Sequence, residues 1–371
     1  MKNNLNIAFF GSSIVSAYWN GAATYYRGIV KALDKMGHKI TFYEPNIYER
    51  QKHRDIEDPE WCNVKIYEPN QNVLSELLLE ASSADVIIKA SGVGAFDAFL
   101  EHEVAQLKKQ DNLIIFWDVD APATLDRIEK DPSDSFRTLI PKYDFILTYG
   151  GGQPVIDAYS SFGAQKCLPI YNALDTQTHF PVQSVAKYQA RLAFLGNRLP
   201  DREKRVESFF LQPAEQLSEF QFLLGGSGWG DKVLPPNVKY TGHVYTKDHN
   251  AFNSSPTAVL NISRESMARY GFSPATRVFE AAGAKACIIT DFWEGIETFF
   301  EPEKEILIAQ NAEEVVQIMS ELTPEKAREI GQAAYKKVLS AHTYEHRAEL
   351  LASVFSTTLK EENSVAQKLG S

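Results

Sequence analysis

Residues 261–300 read NISRESMARYGFSPATRVFEAAGAKACIITDFWEGIETFF. Ser273-Pro274 at their centre is a helix-start signal, because a Ser hydroxyl accepts from an orphan backbone N–H and proline is pre-set for the first helical position. The pattern predicts a helix over 274–283, on which Ser273, Arg277 and Glu280, spaced +4 and +3, share one face. At 1.5 Å per residue that face is roughly 10 Å long, the reach of a ribose plus a diphosphate. The positive helix start suits phosphate, and Glu280 two turns on suits ribose hydroxyls. The apolar run that follows, ending in Asp291, reads as a buried parallel strand. Helix, then strand, with a polar mouth is the layout of a nucleotide site in an open α/β sheet. An Arg three residues before a Glu is also what a surface ion pair looks like; Arg264, Arg269, Gly271 and Gly295 nearby favour the site.

A chain of 371 residues is long enough for two domains with separate cores. With 44% hydrophobic and 23% charged residues, neither disorder nor a repeat array is indicated. The net charge of −10, from 48 acidic and 38 basic residues, opposes extended contact with nucleic-acid phosphates or anionic lipid, so no nucleic-acid partner is expected. A local basic pocket for one diphosphate stays compatible with it. Cys62, Cys167 and Cys287 are odd in number and lack paired spacing, which points to a reducing cytoplasm. The N-terminal 1–17 stretch faintly looks like a signal peptide, but its apolar run is short and broken by Gly11-Ser12-Ser13. No run approaches the roughly 20 apolar residues of a spanning helix, so any membrane contact is expected to be peripheral.

The chain opens as strand 5–10, a loop containing Gly21, helix 24–36 and strand 38–43, a Rossmann-like start without GxGxxG. Residues 44–70, with Pro45, Pro59 and Pro69, read as an irregular surface excursion. Strands follow at 85–89, 113–117 and 143–148, and the second of these runs into Asp118-Val119-Asp120. Three readings of that pair stay open: a metal–diphosphate ligand pair, an acceptor-side acid or base, and a structural turn cap. The second half begins with strand 191–195 running into Gly196-Asn197-Arg198. Gly196 permits close backbone approach, and Arg198 or Arg202 can meet negative charge developing on a leaving diphosphate, unless both are merely solvated. Strand 220–224 leads into a Gly-rich exit, Thr241-Gly242-His243-Val244 follows, and strand 257–262 feeds Arg264. A strand at 305–309, helices at 311–322, 324–339 and 343–359, and a polar, frayed tail over 360–371 complete the chain.

Several of these residues resemble a known family. Asn261, Arg264, Met267, Gly271-Phe272-Ser273-Pro274, Arg277-Val278-Phe279-Glu280-Ala281-Ala282, Thr290-Asp291-Phe292-Trp293-Glu294-Gly295 and Phe299-Phe300-Glu301-Pro302 together look like the CgeB-like, spore-maturation type branch of the GT-B glycosyltransferases. The resemblance implies an α/β chain of GT-B architecture, two Rossmann-like domains with parallel sheets facing across a cleft. Residues 1–175 would form the acceptor domain and 185–342 the sugar-nucleotide domain, with a C-terminal helix around 343–371 packing back on the first. The implied activity is sugar transfer from a nucleoside-diphosphate sugar to an acceptor, a glycan, small molecule or protein, with no metal and no cofactor beyond the donor.

In that picture Arg198 and Arg264 neutralise the leaving diphosphate and Asp118 and Asp120 act on the acceptor side. Gly21, Gly196, Asn197, Arg202, Ser273, Pro274, Arg277 and Glu280 would contact the donor. His243 and Val244 would lie beside the base, and Asp291 with Glu294 would line the sugar. One departure is plain: many retaining GT-B enzymes carry Glu-x7-Glu, and the partner position of Glu280 is Phe272. A sugar-nucleotide epimerase, a non-catalytic interaction protein and a metal-dependent enzyme working through Asp118 and Asp120 are the alternatives.

Overall fold

The computed structural model describes residues 4–18 and 20–369. Two compact units divide it, Met1–Tyr171 together with Tyr344–Ser371, and Asn172–Thr343.

The first unit is built on β1 (Asn6–Phe10), β2 (Lys39–Pro45), β3 (Asn63–Tyr67), β4 (Val86–Ala90), β5 (Leu113–Asp118), β6 (Phe145–Thr148) and β7 (Cys167–Pro169). They form one seven-stranded sheet in the order β3-β2-β1-β4-β5-β6-β7, and every pairing is parallel. Central β4 and β5 are buried along their whole length, which is why they read as continuous apolar runs rather than alternating ones. The expectation of an irregular 44–70 fails at β3. That strand lies at the sheet edge with only Tyr67 buried, so its polar sequence, NVKIY, carries little strand signal.

The returning helix Tyr344–Leu369 packs on helix Ala23–Lys35. Gly28 is required there, since a Cβ would sit 2.2 Å from the Tyr344 ring. Lys35 pairs with Glu345 at 2.9 Å, and Arg347 Nε donates to the Tyr171 carbonyl at 3.2 Å. Helix continues to Leu369, so the tail expected to fray is helical over 360–369, and 370–371 lie outside the described residues.

The second unit carries β8 (Leu192–Leu195), β9 (Phe222–Gly225), β10 (Val238–Tyr240), β11 (Ala258–Asn261), β12 (Ile288–Asp291) and β13 (Leu307–Ala309). Its six strands are ordered β10-β9-β8-β11-β12-β13, again all parallel. Phe194, Phe210, Phe222, Leu224, Leu260 and Ile289 form its core, each such side chain contributing about 1.5–3 kcal/mol by leaving water. The ends of the unit meet where Leu174 N donates to the His342 carbonyl at 2.8 Å.

Each sheet reverses its strand order once, between β1 and β4 and between β8 and β11. Loops leaving neighbouring strands diverge at such a point, and ligands of open α/β sheets bind in the crevice at the carboxyl ends there.

Candidate functional site

In the second unit the loops after β8, β9 and β10 are tied to one another by backbone. Gly196 N donates to Gly225 O at 3.0 Å, Arg198 N to Ser227 O at 2.9 Å and Gly226 N to Gly242 O at 2.8 Å. The Asn197 side chain accepts from Ser227 N at 2.9 Å, and Trp229 Nε1 donates to Gly196 O at 2.9 Å. Gly226, at φ +116°, has no alternative: a Cβ would lie 2.3 Å from the Gly196 carbonyl oxygen. Gly196 and Asn197 therefore sit on a braced rim at the reversal point.

Arg202 follows on this rim and is buried. Its guanidinium donates to Asn197 O at 2.5 Å and lies over the Phe194 ring, while Nε is buried without a hydrogen-bond partner. Burial, and after it the positive charge of Arg277, pull its pKa down to about 9; Asp201 works against this and Arg264 adds to it. The group is still a cation at neutral pH, with Asp201 and Asp291 offsetting only part of its burial and of the neighbouring arginines. Arg277, from the helix over Thr276–Gly283, donates to Asn261 Oδ1 at 3.2 Å and Ile262 O at 3.3 Å, at the end of β11. Arg264 lies just beyond, half-exposed, with Nε on Asp201 at 2.6 Å. Arg202, Arg264 and Arg277 thus all lie on the segments around the point where β8 and β11 diverge, and Arg202 feels the charge of the other two.

Arg198 belongs to a different set. It pairs with Glu203 at 2.7 Å and Asp231 at 2.9 Å, and these two carboxylates raise its pKa. Its charge is already compensated by two carboxylates, which counts against the diphosphate role expected for it from the sequence.

The predicted helix starts two residues late. Its first helical residue is Thr276 and its N-cap is Ala275, with no side-chain cap. Pro274 lies in the extended approach, where its carbonyl accepts from Asn172 Nδ2 at 3.4 Å, and Ser273 is buried beside it. Phe272 is forced to φ +45° and donates its N–H to the Glu294 carbonyl at 2.6 Å. Gly271 and Gly295 make this crossing possible, since a Cβ on Gly271 would meet Glu294 O at 2.8 Å and one on Gly295 the Phe272 ring at 2.1 Å. A strained non-glycine residue pinned from two sides marks a built loop. Glu294 is thereby held at the helix approach with its side chain exposed.

Asp291 is not on the surface of the site. Fully buried, it accepts from Ser263 N at 3.0 and 3.1 Å, and pairs with Arg205 at 2.6 Å. Its carboxylate orders the β11 exit loop rather than facing a sugar. Glu280 is partly buried on the helix, 3.7 Å from His179. His243 is exposed, its ring edge-on to Tyr245 at 4.7 Å. Val244 is buried and offers its carbonyl to His249 Nε2 at 3.2 Å.

In the first unit the Asp118–Asp120 pair does not form an open diacid. Asp118, fully buried, accepts from Ser91 Oγ at 2.8 Å, Asp120 N at 3.0 Å, Thr124 Oγ1 at 3.0 Å and the Tyr159 hydroxyl. Four protein donors leave it as a strand-end cap, so its reading as acid or base gives way to the structural one. Asp120 is exposed at the N-cap of helix Ala121–Lys130. Gly21 is exposed with open space around its Cα, so no close approach in the structure demands glycine there.

Residue pattern alone missed the polar centres behind these positions. Lys89 ends the apolar strand DVIIK yet is fully buried, with Asp97 at 2.8 Å and Glu101 at 3.5 Å; a lysine closing a buried strand was the available signal. Glu44, also fully buried, accepts from Ile14 N at 2.7 Å and Ser13 Oγ at 3.0 Å. Arg205 had no signal, because its partner Asp291 lies 86 positions away.

Residues 202–353 match the family described as "Glycosyl transferase-like". No protein of curated function matches by sequence. Among solved structures, sucrose-phosphate synthase from Thermosynechococcus elongatus superposes with a TM-score of 0.69 at 13% identity, covering 96% of this chain and 100% of that one. Anabaena HepE in complex with UDP-glucose gives 0.65 at 11% identity, over 95% and 100%. An α-glucosyltransferase in complex with UDP-glucose and DNA gives 0.68 at 11%, over 95% and 100%. The chain has the fold of the GT-B glycosyltransferases. Among the described residues, no helix is long and apolar enough to cross a membrane.

Proposed function

We propose that this chain is a glycosyltransferase that moves a sugar from a nucleoside-diphosphate donor to an acceptor, and that it belongs to the CgeB-like branch. The observation that carries this reading is the group of Arg202, Arg264 and Arg277 at the β8/β11 reversal point, with Arg202 buried and its positive charge strained by its neighbours. A diphosphate relieves that strain. It also gains charge-assisted hydrogen bonds, about twice as strong as neutral ones. As the bond to the sugar breaks, charge grows on the departing diphosphate, and the preformed guanidiniums stabilise it without reorganisation.

No metal is needed at the diphosphate in this mechanism. Glu280 takes the ribose hydroxyls, Glu294 lines the sugar end, Asn197 and Gly196 shape the rim, and His243 with Val244 lie at the base. Arg205 and Asp291 position the Ser263–Arg264 loop. The donor belongs to the Asn172–Thr343 unit and acceptor recognition is assigned to the other. The neighbours with bound UDP-glucose make UDP-sugars the first donors to try, and the −10 charge directs the acceptor search toward glycans, small molecules and proteins.

A thermal-shift panel of UDP-, GDP-, TDP- and ADP-sugars tests this, since a ligand at 100 times its Kd adds about 2.7 kcal/mol of stability. One nucleotide class should raise the melting temperature. Incubated alone with that donor, the protein should release nucleoside diphosphate slowly and leave the sugar's configuration in the remaining donor unchanged. No shift with any donor, or an isomerised donor, contradicts the reading.

A further inference from the structure

His179, His249 and Glu280 come from three separate stretches of the second unit. They are the irregular segment that opens the unit, helix Thr246–Ser254 and helix Thr276–Gly283. One ligand atom of each lies within 4.8 Å of the others, and His179 Nε2 stands 3.7 Å from Glu280 Oε1.

The inward-facing nitrogens lack partners. His179 is 6% exposed, and both its Nε2 and His249 Nδ1 are buried with no hydrogen bond. The outer nitrogens set the tautomers. His249 Nε2 faces the Val244 carbonyl at 3.2 Å, an acceptor, so the proton is on Nε2 and Nδ1 keeps its lone pair. His179 Nδ1 faces the Thr178 hydroxyl at 3.0 Å. That hydroxyl donates to Asp175 O at 3.2 Å, so it accepts from Nδ1–H and Nε2 keeps its lone pair. Two buried lone pairs and a partly buried carboxylate then face one another, which costs free energy unless a cation lies among them.

The frame around them is fixed. Asn250 accepts from Phe180 N at 3.1 Å and donates to Thr178 O at 3.0 Å, gripping the backbone on both sides of His179. Ser254 Oγ donates to Ala284 O at 3.0 Å, tying the ends of the two helices. Gly283 lets the segment come close, since a Cβ there would sit 2.4 Å from Leu174 Cδ1.

We propose that His179 Nε2, His249 Nδ1 and a Glu280 oxygen bind a divalent cation of the zinc class. Two imidazoles and a carboxylate are the donor set that zinc and its borderline neighbours select, and outer hydrogen bonds to a carbonyl and a hydroxyl are what orients ligating histidines. Bonds of about 2.0–2.2 Å require ligand atoms roughly 3.3–3.5 Å apart, so the His179–Glu280 separation is close to suitable and His249 moves inward by about an ångström. The cation would fix the Glu280 carboxylate and leave its second oxygen for another partner. It lies apart from the diphosphate chemistry, and its test needs no nucleotide.

Chelator-treated full-length chain is titrated with cobalt(II), followed by visible absorption, and the cobalt is then displaced with zinc. One cobalt per chain with the intense bands of a low-symmetry N,O site is expected. His249→Ala should weaken binding at least about 100-fold, and Thr178→Val, which keeps all three ligands but loses the orienting hydroxyl, about tenfold. Circular dichroism confirms that both variants are folded. No cobalt spectrum, or equal affinity in wild type and His249→Ala, overturns the assignment and leaves a shared proton as the occupant.

Discussion

Two buried charges in sheets of one topology, Asp118 in the first unit and Arg202 in the second, are met in opposite ways. In the first unit Asp118 has four donors, Lys89 lies between Asp97 and Glu101, and Glu44 holds the Ser13–Ile14 backbone. In the second, Arg202 keeps an unpartnered Nε and feels Arg277 and Arg264. A satisfied buried network specifies structure, whereas an unsatisfied one is ready for a ligand, because the desolvation cost is already met and only the partner is lacking. By this criterion we assign the proposed anion site to the second unit, although the acidic pair after β5 looked equally chemical in sequence.

Removing a satisfied member should give the largest effect, and on folding. Asp118→Ala strands the Ser91, Thr124 and Tyr159 hydroxyls, and Asp291→Ala strands Arg205 and Ser263 N; each should cost about 3–5 kcal/mol in urea unfolding. A loss below about 1 kcal/mol would mean that these carboxylates are not structural.

Glu280→Ala sharpens the comparison from the other side. It should weaken nucleoside-diphosphate binding by about 1.5–3 kcal/mol, tenfold or more, while inorganic pyrophosphate binds unchanged, because the phosphate contacts stay in place. Equal losses for both ligands would place Glu280 at the phosphates. Arg264→Ala should matter less, a factor of about 5–10 in diphosphate affinity, because its half-exposed charge is already shared with Asp201 and screened by water.

The smallest effect is the pH dependence that His38 gives to folding of the first unit. Buried His38 accepts from Leu5 N through Nδ1 at 3.2 Å, and burial lowers its pKa below the usual 6.5. The unfolded chain takes up a proton near 6.5 and the folded chain only at lower pH, so the unfolded state binds more protons in the window beneath 6.5. Stability is therefore full above 6.5 and falls as pH drops through that window. His38→Leu should flatten the change in urea midpoint between about pH 7.5 and 5.5; an unaltered slope would assign it to other groups.

Much of the fold was legible because parallel strands buried on both faces announce themselves as apolar runs, as in VIIKA and LIIFWD. Edge strand β3 was not, since a half-exposed edge tolerates Asn and Lys. The helix that carries Arg277 and Glu280 was readable from the sequence. The helix start was two residues off because Ser273-Pro274 lies in a loop clamped by Glu294 and Gly295, a tertiary constraint that local capping signals do not carry. Charge compensation was the least visible feature. Arg198 and Arg202 are four residues apart, yet one is paired with Glu203 and Asp231 while the other is buried and feels Arg277 and Arg264 as well as Asp201, and only the folded chain separates them.

Calorimetric titration of UDP, GDP, TDP and ADP into wild type and Arg202→Met tests the central claim most directly. One diphosphate should bind the wild type one to one. The variant should lose about 2–3 kcal/mol of that affinity, roughly 30–150-fold, while its ligand-free melting temperature stays level or rises as a strained buried cation is removed. Undiminished binding by a folded Arg202→Met protein would contradict it.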